Sequence, residues 1–443
     1  MEYPKFHFDT LNALKEEIGA LGLELPLSER MEILSQPVVL GKKRAANRIA
    51  FQPMEGCDGT ADGKPSELTR RRYGRFAKSG AGLIWFEAAA VTEEARANPR
   101  QLMVNEENRD SLAQIVHMIK ETCLKENGFE PVVILQATHS GRYSKPHGVP
   151  EPIIACNNPL FEKDRPIPAE RIITDERLKR LEQEMGAAAK TAQEAGFDGM
   201  DIKACHRYLN SELLSAYTRP GEYGGSFENR TRFYRNAIQN AQANTSDGFL
   251  VTSRLNIYDG FPYPYGFGVN ERDGVTPDMS EPLRLVELLH RRLGLQLLDI
   301  TIGNPYVNPH VNRPYDSGPY APPENPLAGV ARMYSLTGQI QRAFPDLAVV
   351  SSGLSYLRQF SANLAAGAVE RGYAAIAGFG REAFAYPDFP RELLQSGAMN
   401  AKKCCIACGK CSEMMRAGSV AGCVVRDSEV YLPIYRRDVL RKG

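Results

Sequence analysis

The chain has 443 residues, with 54 basic and 53 acidic side chains and a formal net charge of +1, which excludes nucleic-acid binding through a positive surface. Its hydrophobic fraction of 43% is ordinary, and no apolar run approaches the roughly 18 residues of a membrane span. The acid-containing start, MEYPKFHFDTLNALKEEIG, is not a secretory signal. We therefore expect a cytoplasmic protein with no membrane span and no nucleic-acid partner.

Residues 1–45 predict an N-terminal extension, after which short apolar runs alternate with helical patterns such as Asp175–Ala195 and Pro282–Leu293. Each run is largely continuous, as in parallel strands that are buried on both faces. This rhythm predicts an α/β fold, a (β/α)8 barrel over residues 46–395. A doubly wound sheet is the alternative, but no G-x-G-x-x-G follows the first strand. The predicted strands are Asn47–Gln52, Gly82–Ala88, Val132–Gln136, Gly199–Ile202, Phe249–Arg254, Leu297–Thr301, Ala348–Ser352 and Tyr373–Ala377.

Two long irregular loops follow the fifth and sixth predicted strands. Ile257–Pro277 and Gly303–Pro326 are rich in Pro, Gly, Asn and Tyr. Loops at the carboxyl ends of barrel strands form the active-site face, and loops of this length are usually functional. We expect both loops to be walls or lids of a site.

The last segment, residues 400–443, predicts a metal-binding tail. Five of the nine cysteines lie between Cys404 and Cys423, a density that indicates metal binding in a reducing cytosol. Four thiolates can fill the terminal positions of a cubane iron–sulfur cluster, and C-x2-C turns let them converge on one core. The predicted ligands are Cys405, Cys408, Cys411 and Cys423, with Cys404 as a spare thiol.

Structural zinc is the alternative for this tail. Zinc ribbons favour two C-x2-C pairs, whereas this chain has a tight triplet and one distant cysteine. The spacing therefore favours a [4Fe-4S] cluster, which transfers single electrons and indicates redox chemistry in the rest of the chain.

Polar residues concentrate where the predicted strands end. Glycines after the last two strands, together with Arg381, are typical of the phosphate site of these barrels, because close backbone amides and a cation meet the anion there. They indicate a phosphate-bearing cofactor. The polar strand ends are Pro53-Met54-Glu55, Gln136, Lys203 with His206 and Tyr208, Arg254, Gly353, and Gly380-Arg381.

Several motifs in order resemble the Old Yellow Enzyme family of flavin oxidoreductases over about residues 38–395. The most specific is Glu222–Arg230, which is similar to the family's YGGS-x-ENR signature. The tail extends the resemblance to the iron–sulfur branch, which includes 2,4-dienoyl-CoA reductase and trimethylamine dehydrogenase. The other matching segments are Asn47-Arg48 with Pro53-Met54, the LQ-x-x-H-x-G-R segment at 135–142, AGFDGMDIKACHRYL at 195–209, and GFGREAFAYPDFP at 378–390.

The resemblance implies an FMN-dependent enzyme that reduces an activated C=C bond in a small-molecule enone or enoate. Lys203 and His206 would anchor the substrate, and Tyr208 would donate the proton. Lys203 and Arg207 replace residues usual in the family, and their charge suggests an anionic substrate. The implied FMN-binding residues are Pro53, Met54 and Ala88 at the ring, Gln136 at the pyrimidine edge, Arg254 at the N1–C2 region, and Gly353, Gly380 and Arg381 at the phosphate.

The source of electrons has two interpretations. No dinucleotide-binding fingerprint follows Cys423, so we expect the chain to lack the FAD- and NAD-binding domains of longer branch members. NAD(P)H could reduce FMN at the barrel mouth. Alternatively, ferredoxin, an electron-transfer flavoprotein or a separate reductase subunit could deliver electrons through the cluster. The partner route is favoured, because a cluster has little use if hydride comes and goes at the flavin alone. A homo-oligomer is compatible with the sequence.

Two other functions remain open. One is an oxidative dehydrogenase of an amine or alcohol that passes electrons outward through the cluster, which the cysteine spacing mildly favours. The other is a non-catalytic redox or electron-transfer module, against which the long loops and anchoring residues argue. Tyr208 as proton donor favours the reductase.

Overall fold

The centre of the fold is a closed barrel of eight parallel strands, which confirms the predicted (β/α)8 architecture. The computed structural model describes residues 3–441, so the first two residues of the predicted extension and the last two of the predicted tail lie outside the described residues. A short hairpin, β1–β2, precedes the barrel. The strands are β1 Val38–Leu40, β2 Lys43–Ala45, β3 Ile49–Phe51, β4 Leu83–Ala90, β5 Val132–Thr138, β6 Gly199–Ile202, β7 Leu250–Asn256, β8 Leu297–Thr301, β9 Ala348–Ser351 and β10 Ile376–Phe379.

Each barrel strand pairs with the next one along the chain, and β10 closes the circle against β3. Every residue of β4, β5 and β7 is buried, which explains why β4 and β5 are largely apolar runs in the sequence. Because all eight strands run parallel, their carboxyl ends and the loops that follow them meet on one side of the barrel. We call this side the C-terminal face.

Most predicted strands agree with the observed strands to within two residues at each end, and β6 and β8 have the predicted bounds. The largest difference lies at the last strand, which was expected at Tyr373–Ala377 and is found at Ile376–Phe379. Small residues surround Ile376 on both sides, so the local sequence contains no contrast in side-chain size that marks where the strand begins.

Helices form the layer outside the barrel, and their ends carry recognisable signals. A capping box at Ser66 and Thr69 begins α2, and Gly128 ends α3 in the left-handed conformation, with φ 78°. No helix within residues 3–441 is long and apolar enough to cross a membrane. The helices are α1 Leu11–Ala20, α2 Glu67–Ala77, α3 Arg109–Asn127, α4 Pro159–Glu162, α5 Asp175–Glu194, α6 Leu209–Leu214, α7 Phe227–Arg230, α8 Arg232–Ala243, α9 Ser280–Glu287 (continued by a π turn, Leu288–Arg292), α10 Pro309–Asn312, α11 Pro326–Ala343, α12 Ser361–Glu370, α13 Arg381–Ala385, α14 Phe389–Ser396, α15 Lys410–Arg416 and α16 Ser428–Tyr435.

The N-terminal segment closes the end of the barrel opposite the C-terminal face. Val38, Leu40 and Ala45 of the hairpin pack against the inward-facing residues at the start of the barrel strands. Gly367 on α12 is in close contact with this segment, since a Cβ there would lie 1.8 Å from the carbonyl oxygen of Pro26. The sequence predicted the extension but not the hairpin, because three-residue strands leave no measurable periodicity.

Residues 400–441 dock on the C-terminal face through ion pairs and backbone hydrogen bonds. The carboxylate of Asp427 accepts two hydrogen bonds of 2.8 Å from Arg71 and a further one from Arg75, both on α2. The backbone N–H of Ala421 donates to the carbonyl of Gly56 over 2.6 Å. These contacts fix the cysteine-rich tail beside the loop that follows β3.

We expect Asp427→Ala to loosen the tail. The Asp427 side chain is 8% exposed and is the shared acceptor of two guanidinium groups, so its removal leaves both cations unpaired. The expected cost is about 2 kcal/mol, between the values for exposed and for buried ion pairs. Thermal unfolding and limited proteolysis of the tail measure this effect.

Asp247→Ala is the matched control, because Asp247 forms its ion pair with Lys42 at 87% side-chain exposure. Equal melting temperatures and equal tail cleavage for the two variants would contradict the proposed docking role of Asp427.

Candidate active site

The carboxyl ends of five barrel strands surround one cavity of about 940 Å³, measured to its open mouth. We call it the central cavity. Its other walls come from the loop after β8 and from the tail, including Cys411 and Met415. The structure brings together most of the predicted site residues at this cavity, namely Pro53, Met54, Lys203, His206, Arg254, Gly353, Gly380 and Arg381.

Three predicted residues lie behind this lining rather than in it. Ala88 and Gln136 are buried neighbours on β4 and β5. The amide nitrogen of Gln136 donates to Asp201 Oδ2 over 2.6 Å, so part of its hydrogen-bonding capacity is used inside the barrel. Tyr208 is buried, and its hydroxyl lies near Glu55 and Tyr306, which do line the cavity.

Arg254 presents a buried guanidinium group to the central cavity. Its Nε lies 3.0 Å from Asp299 Oδ2, but the two atoms do not have the geometry of a hydrogen bond. Within residues 3–441, this guanidinium donates no hydrogen bond to any protein group, although only 7% of the residue is exposed. A buried cation with unused donors fits an electron-rich ligand edge.

Arg313 and Arg381 form a second cationic end of the cavity. Arg313 donates to Ser412 Oγ over 2.6 Å, and burial together with the nearby Arg381 lowers the pKa of Arg313 to about 10. In the part of the chain that the structure describes, neither guanidinium has a carboxylate within 4.0 Å. Gly353, with φ 84°, leaves no room for a side chain because a Cβ would lie 2.6 Å from Met333 Sδ. Glycine and two unpaired cations fit a phosphate group.

His206 and Arg207 both have positive φ values, 63° and 58°, in the tight turn after β6. This turn costs backbone strain and directs the two side chains apart. His206 lines the cavity, and its Nε2 is buried without a hydrogen-bond partner among residues 3–441. Burial, with the charges of Arg254 and Lys203, lowers the pKa of His206 well below its ordinary value, so the ring is neutral.

Arg207 is directed away from the cavity. Its Nη1 donates to the carbonyl of Tyr265 over 2.9 Å and lies 3.1 Å from Asp259 Oδ2, so its charge is compensated inside the loop that follows β7. The expectation that Arg207 adds a second cation beside the substrate is therefore wrong. Its role is to hold this loop in place.

Lys203 is also charge-compensated. Its Nζ lies 3.3 Å from Glu55 Oε1 and 3.6 Å from the centre of the Tyr208 ring. The Tyr208 hydroxyl is 3.4 Å from the same carboxylate oxygen and 3.1 Å from the Tyr306 hydroxyl. Burial and the Glu55 charge raise the pKa of Tyr208 well above its ordinary value, which keeps the phenol protonated. The arrangement can hold a proton at the cavity wall.

The four predicted cluster ligands line a smaller cavity of about 370 Å³. The backbone N–H groups of Ala407 and Arg426 donate to the sulfurs of Cys405 and Cys423 over 3.4 and 3.3 Å. Across the described residues, no three His, Cys, Asp or Glu side chains converge closely enough to hold a single metal ion. Four cysteines around one cavity fit the terminal ligand set of an iron–sulfur cluster, and Cys404, whose thiol donates to the Asn400 carbonyl, lies outside this cavity.

The central cavity and the cysteine-lined cavity share a wall. Arg381, Phe384 and Cys411 line both of them. Glu382 supports this wall, since its buried carboxylate accepts the N–H of Cys405 at 3.2 and 3.1 Å, and burial raises its pKa to about 8. One short helix, α13, thus connects the Arg381 end of the central cavity to the tail.

Sequence reasoning missed several residues of this site. Tyr306 and Arg313 lie in the Gly303–Pro326 loop. The sequence predicts this loop as a wall or lid of the site but does not indicate which of its residues line the cavity. A tyrosine and an arginine in an otherwise uncharged stretch of this loop were the available signal. Asp201 and Asp299, which lie under the cavity, could have been found as charged residues inside apolar strands.

Comparison with known proteins identifies the family. Residues 33–266 match the NADH:flavin oxidoreductase / NADH oxidase family. The chain belongs to this family. It is also 32% identical over 276 residues to the NADPH dehydrogenase of Geobacillus sp. (strain WCH70), a match that covers 61% of this chain and 73% of the relative. The protein is therefore a flavin-dependent oxidoreductase, with FMN as its flavin and NADH or NADPH as the family's reductant.

Solved structures with the same fold include longer proteins. A 2-naphthoyl-CoA reductase complex has a TM-score of 0.72 at 20% identity, over 89% of this chain and 57% of the other. The histamine dehydrogenase of Rhizobium sp. 4-9 has a TM-score of 0.69 at 21% identity, over 90% and 52%. The chain thus spans somewhat more than half the length of these two proteins, and at these identities the likeness shows the fold alone.

The residues of the central cavity fit FMN. Arg254 has free donors for the ring system, and Arg313 and Arg381 supply unpaired positive charge for a phosphate next to Gly353. Between these two cationic ends, Pro53 and Met54 form an apolar wall of the cavity. Bound FMN would accept hydrogen bonds from Arg254 at one end of the cavity, and its phosphate would pair with Arg313 and Arg381 at the other end.

We expect Arg381→Met and Arg254→Met to weaken flavin binding in different ways. Loss of Arg381 removes a phosphate contact and should weaken FMN binding about tenfold or more, with riboflavin unaffected, because riboflavin has no phosphate. Loss of Arg254 should weaken both ligands by a similar factor. Fluorescence titration of the apoprotein with each flavin measures this.

Riboflavin serves as the internal control for structural damage at Arg381. If Arg381→Met weakened FMN and riboflavin equally, the assignment of this end of the cavity to the phosphate would be incorrect.

Proposed function

We propose that the protein is an FMN- and [4Fe-4S]-dependent reductase of an activated C=C bond in an enone or enoate, within the iron–sulfur branch of its family. In this proposal residues 1–45 close the barrel, residues 46–395 bind FMN, and residues 400–443 bind the cluster. One arrangement carries the proposal: the unpartnered His206 Nε2 and the unused donors of Arg254 face the central cavity, and Tyr208 lies behind its wall beside Glu55 and Tyr306.

The protein's residues have separate tasks in this reaction. Bound FMN would supply a hydride to the β-carbon of the alkene. His206 stays neutral because its pKa is lowered, so its free Nε2 can donate a hydrogen bond to the substrate carbonyl oxygen and polarise the double bond. Pro53, Met54 and the loop residue Tyr306 form part of the wall beside the proposed substrate.

Tyr208 is the proton donor to the α-carbon in this proposal. Its raised pKa keeps the hydroxyl protonated, so that it can donate its proton after hydride transfer to the β-carbon. The Tyr306 hydroxyl, at 3.1 Å, can return a proton to the phenolate that forms, and Lys203 stabilises that phenolate while it pairs with the Glu55 carboxylate. Lys203 thus acts on Tyr208 and Glu55, while His206 anchors the substrate.

The shared wall of the two cavities supports electron exchange between flavin and cluster. A bound [4Fe-4S] cluster would carry single electrons between the FMN and an external partner such as ferredoxin, an electron-transfer flavoprotein or a separate reductase subunit. Cys411 borders both cavities, so a single residue separates them at this point of the wall. The same wall would also allow electrons to pass from the flavin through the cluster to an external acceptor. An amine or alcohol dehydrogenase is therefore the second candidate.

We expect Tyr208→Phe to lower the rate of alkene reduction by a factor of about 10² to 10⁴, the usual contribution of a positioned proton donor. Reduction of the flavin by NADPH should be unchanged, because that step needs no proton from Tyr208. Stopped-flow absorbance of the anaerobic enzyme measures the two half-reactions separately.

Tyr143→Phe is the control for aromatic packing, since its ring lies 5.8 Å from the Tyr208 ring and 4.3 Å from the Tyr306 ring while its hydroxyl accepts from Asn304. Reoxidation of the reduced enzyme by enones or enoates supports the reductase. Bleaching of the oxidised enzyme by an amine or alcohol supports the dehydrogenase, and neither response would indicate an electron-transfer module.

We expect Cys411→Ser to lower the iron and acid-labile sulfide content of the anaerobically purified protein while FMN content is retained, because the residues proposed to bind FMN belong to the barrel. Cys404→Ser is the matched control and should keep full iron and sulfide, as Cys404 lies outside the cysteine-lined cavity. One zinc per wild-type chain without sulfide would refute the cluster.

A further inference from the structure

A second cleft opens beside the central cavity and has no role in the proposed reaction. Its volume is about 1310 Å³ to its mouth, and it shares Glu55, Tyr306 and Met415 with the central cavity. Its walls come from residues 97–100, residues 142–150 and residues 415–419 of the tail. A molecule with its reactive end in the central cavity can therefore extend into this cleft.

Three cations from three separate segments line the second cleft. They are Arg100, Lys145 and Arg416, and across residues 3–441 none of them has a carboxylate within 4.0 Å. Arg100 donates to the carbonyls of Cys57 and Gly418 over 3.1 and 2.8 Å, which fixes its guanidinium at the wall. In a chain with a net charge of +1, three unpaired cations at one cleft indicate an anionic ligand.

Negatively charged residues at the cleft do not neutralise Arg100, Lys145 and Arg416. Arg142 also lines the cleft, but it is paired with Glu162 and Glu212. Glu55 is the one carboxylate among the lining residues, and it forms its ion pair with Lys203. The positive charge of the cleft is thus left for a ligand.

We propose that the second cleft binds the phosphate or diphosphate group of a molecule whose reactive end enters the central cavity. The inference rests on the proposed function. Arginine and lysine are the side chains that recognise phosphate oxygens, through paired hydrogen bonds and point charge respectively. Because Glu55 compensates Lys203, recognition of an anion belongs to this cleft and not to Lys203.

Two molecules could supply this chemistry. One is the reductant, since NADH and NADPH carry a diphosphate between the nicotinamide and the adenosine. The other is an alkene substrate with a phosphate-bearing tail. Met415, Arg416, Gly418 and Ser419 belong to the tail, so the cleft is complete only when the tail is docked. Ligand binding at this cleft and cluster binding thus depend on the same segment.

Calorimetric titration of the holoenzyme with inorganic pyrophosphate tests the cleft without turnover. We expect pyrophosphate to bind the wild type and to bind Lys145→Met and Arg416→Met about tenfold more weakly, with a dissociation constant that rises with salt. Lys125→Met, at an exposed position in the last turn of α3, is the control and should bind like the wild type. No binding to the wild type, or equal binding by all variants, would overturn the proposal.

Stopped-flow half-reactions identify the source of the phosphate. A weaker apparent affinity for NADPH in Lys145→Met and Arg416→Met, with unchanged affinity for reduced nicotinamide riboside, assigns the cleft to the reductant. Competition by pyrophosphate against phosphate-bearing enoates, but not against NADPH, assigns it to the substrate. If pyrophosphate binds as expected but no alkene reoxidises the enzyme, the proposed function fails while the anion site stands.

Discussion

Two carboxylates buried inside the barrel, Asp201 and Asp299, determine how the site is built. Asp201 accepts hydrogen bonds from Trp85, Gln136 and the backbone N–H of Arg254 over 2.9, 2.6 and 2.7 Å. Asp299 accepts from Gln52 over 2.8 Å and lies under the Arg254 guanidinium. Burial raises the pKa of Asp201 to about 7 and that of Asp299 to about 6, so ionising either one in the barrel is costly. The hydrogen bonds that Asp201 and Asp299 accept offset the cost of their ionisation. The same hydrogen bonds hold the donor groups in place at the floor of the central cavity.

The tail depends on the same C-terminal face. Its contacts to Gly56, Arg71 and Arg313 come from the loop after β3, from α2 and from the loop after β8. None of these groups is close to the tail in sequence, so the cysteine-lined cavity has its shape only when the barrel is closed. The helix α13 joins the two parts, with Arg381 at the phosphate end and Glu382 on the N–H of Cys405. This one helix therefore borders both cavities.

The barrel could be predicted because its strands are buried on both faces and its helices carry capping signals. Residues at strand ends, such as His206 and Arg254, could be placed because strand order sets their position. Ion pairing could not, since Lys203 and its partner Glu55 are 148 residues apart and Arg207 is neutralised by a loop 52 residues away. Arg313 was missed for the same reason, as its role depends on how a long loop folds back over the cavity. The partners of charged residues in long loops are determined by tertiary packing, and the sequence shows no periodic pattern that predicts them.

The distribution of unpaired cations connects these observations. The chain is almost neutral, and many of its cations lie within ion pairs, including the buried Arg72, Arg142 and Arg207. Among the described residues, cations without a carboxylate within 4.0 Å line both cavities of the C-terminal face, Arg313 and Arg381 in one and Lys145 and Arg416 in the other. Holding like charges together destabilises the empty protein, and anionic ligands remove this repulsion. The two sets meet at the loop after β8, where Arg313 and Arg416 both donate to the carbonyl of Pro305 over 3.4 Å, so an anion bound at one cavity would also lower the repulsion at the other.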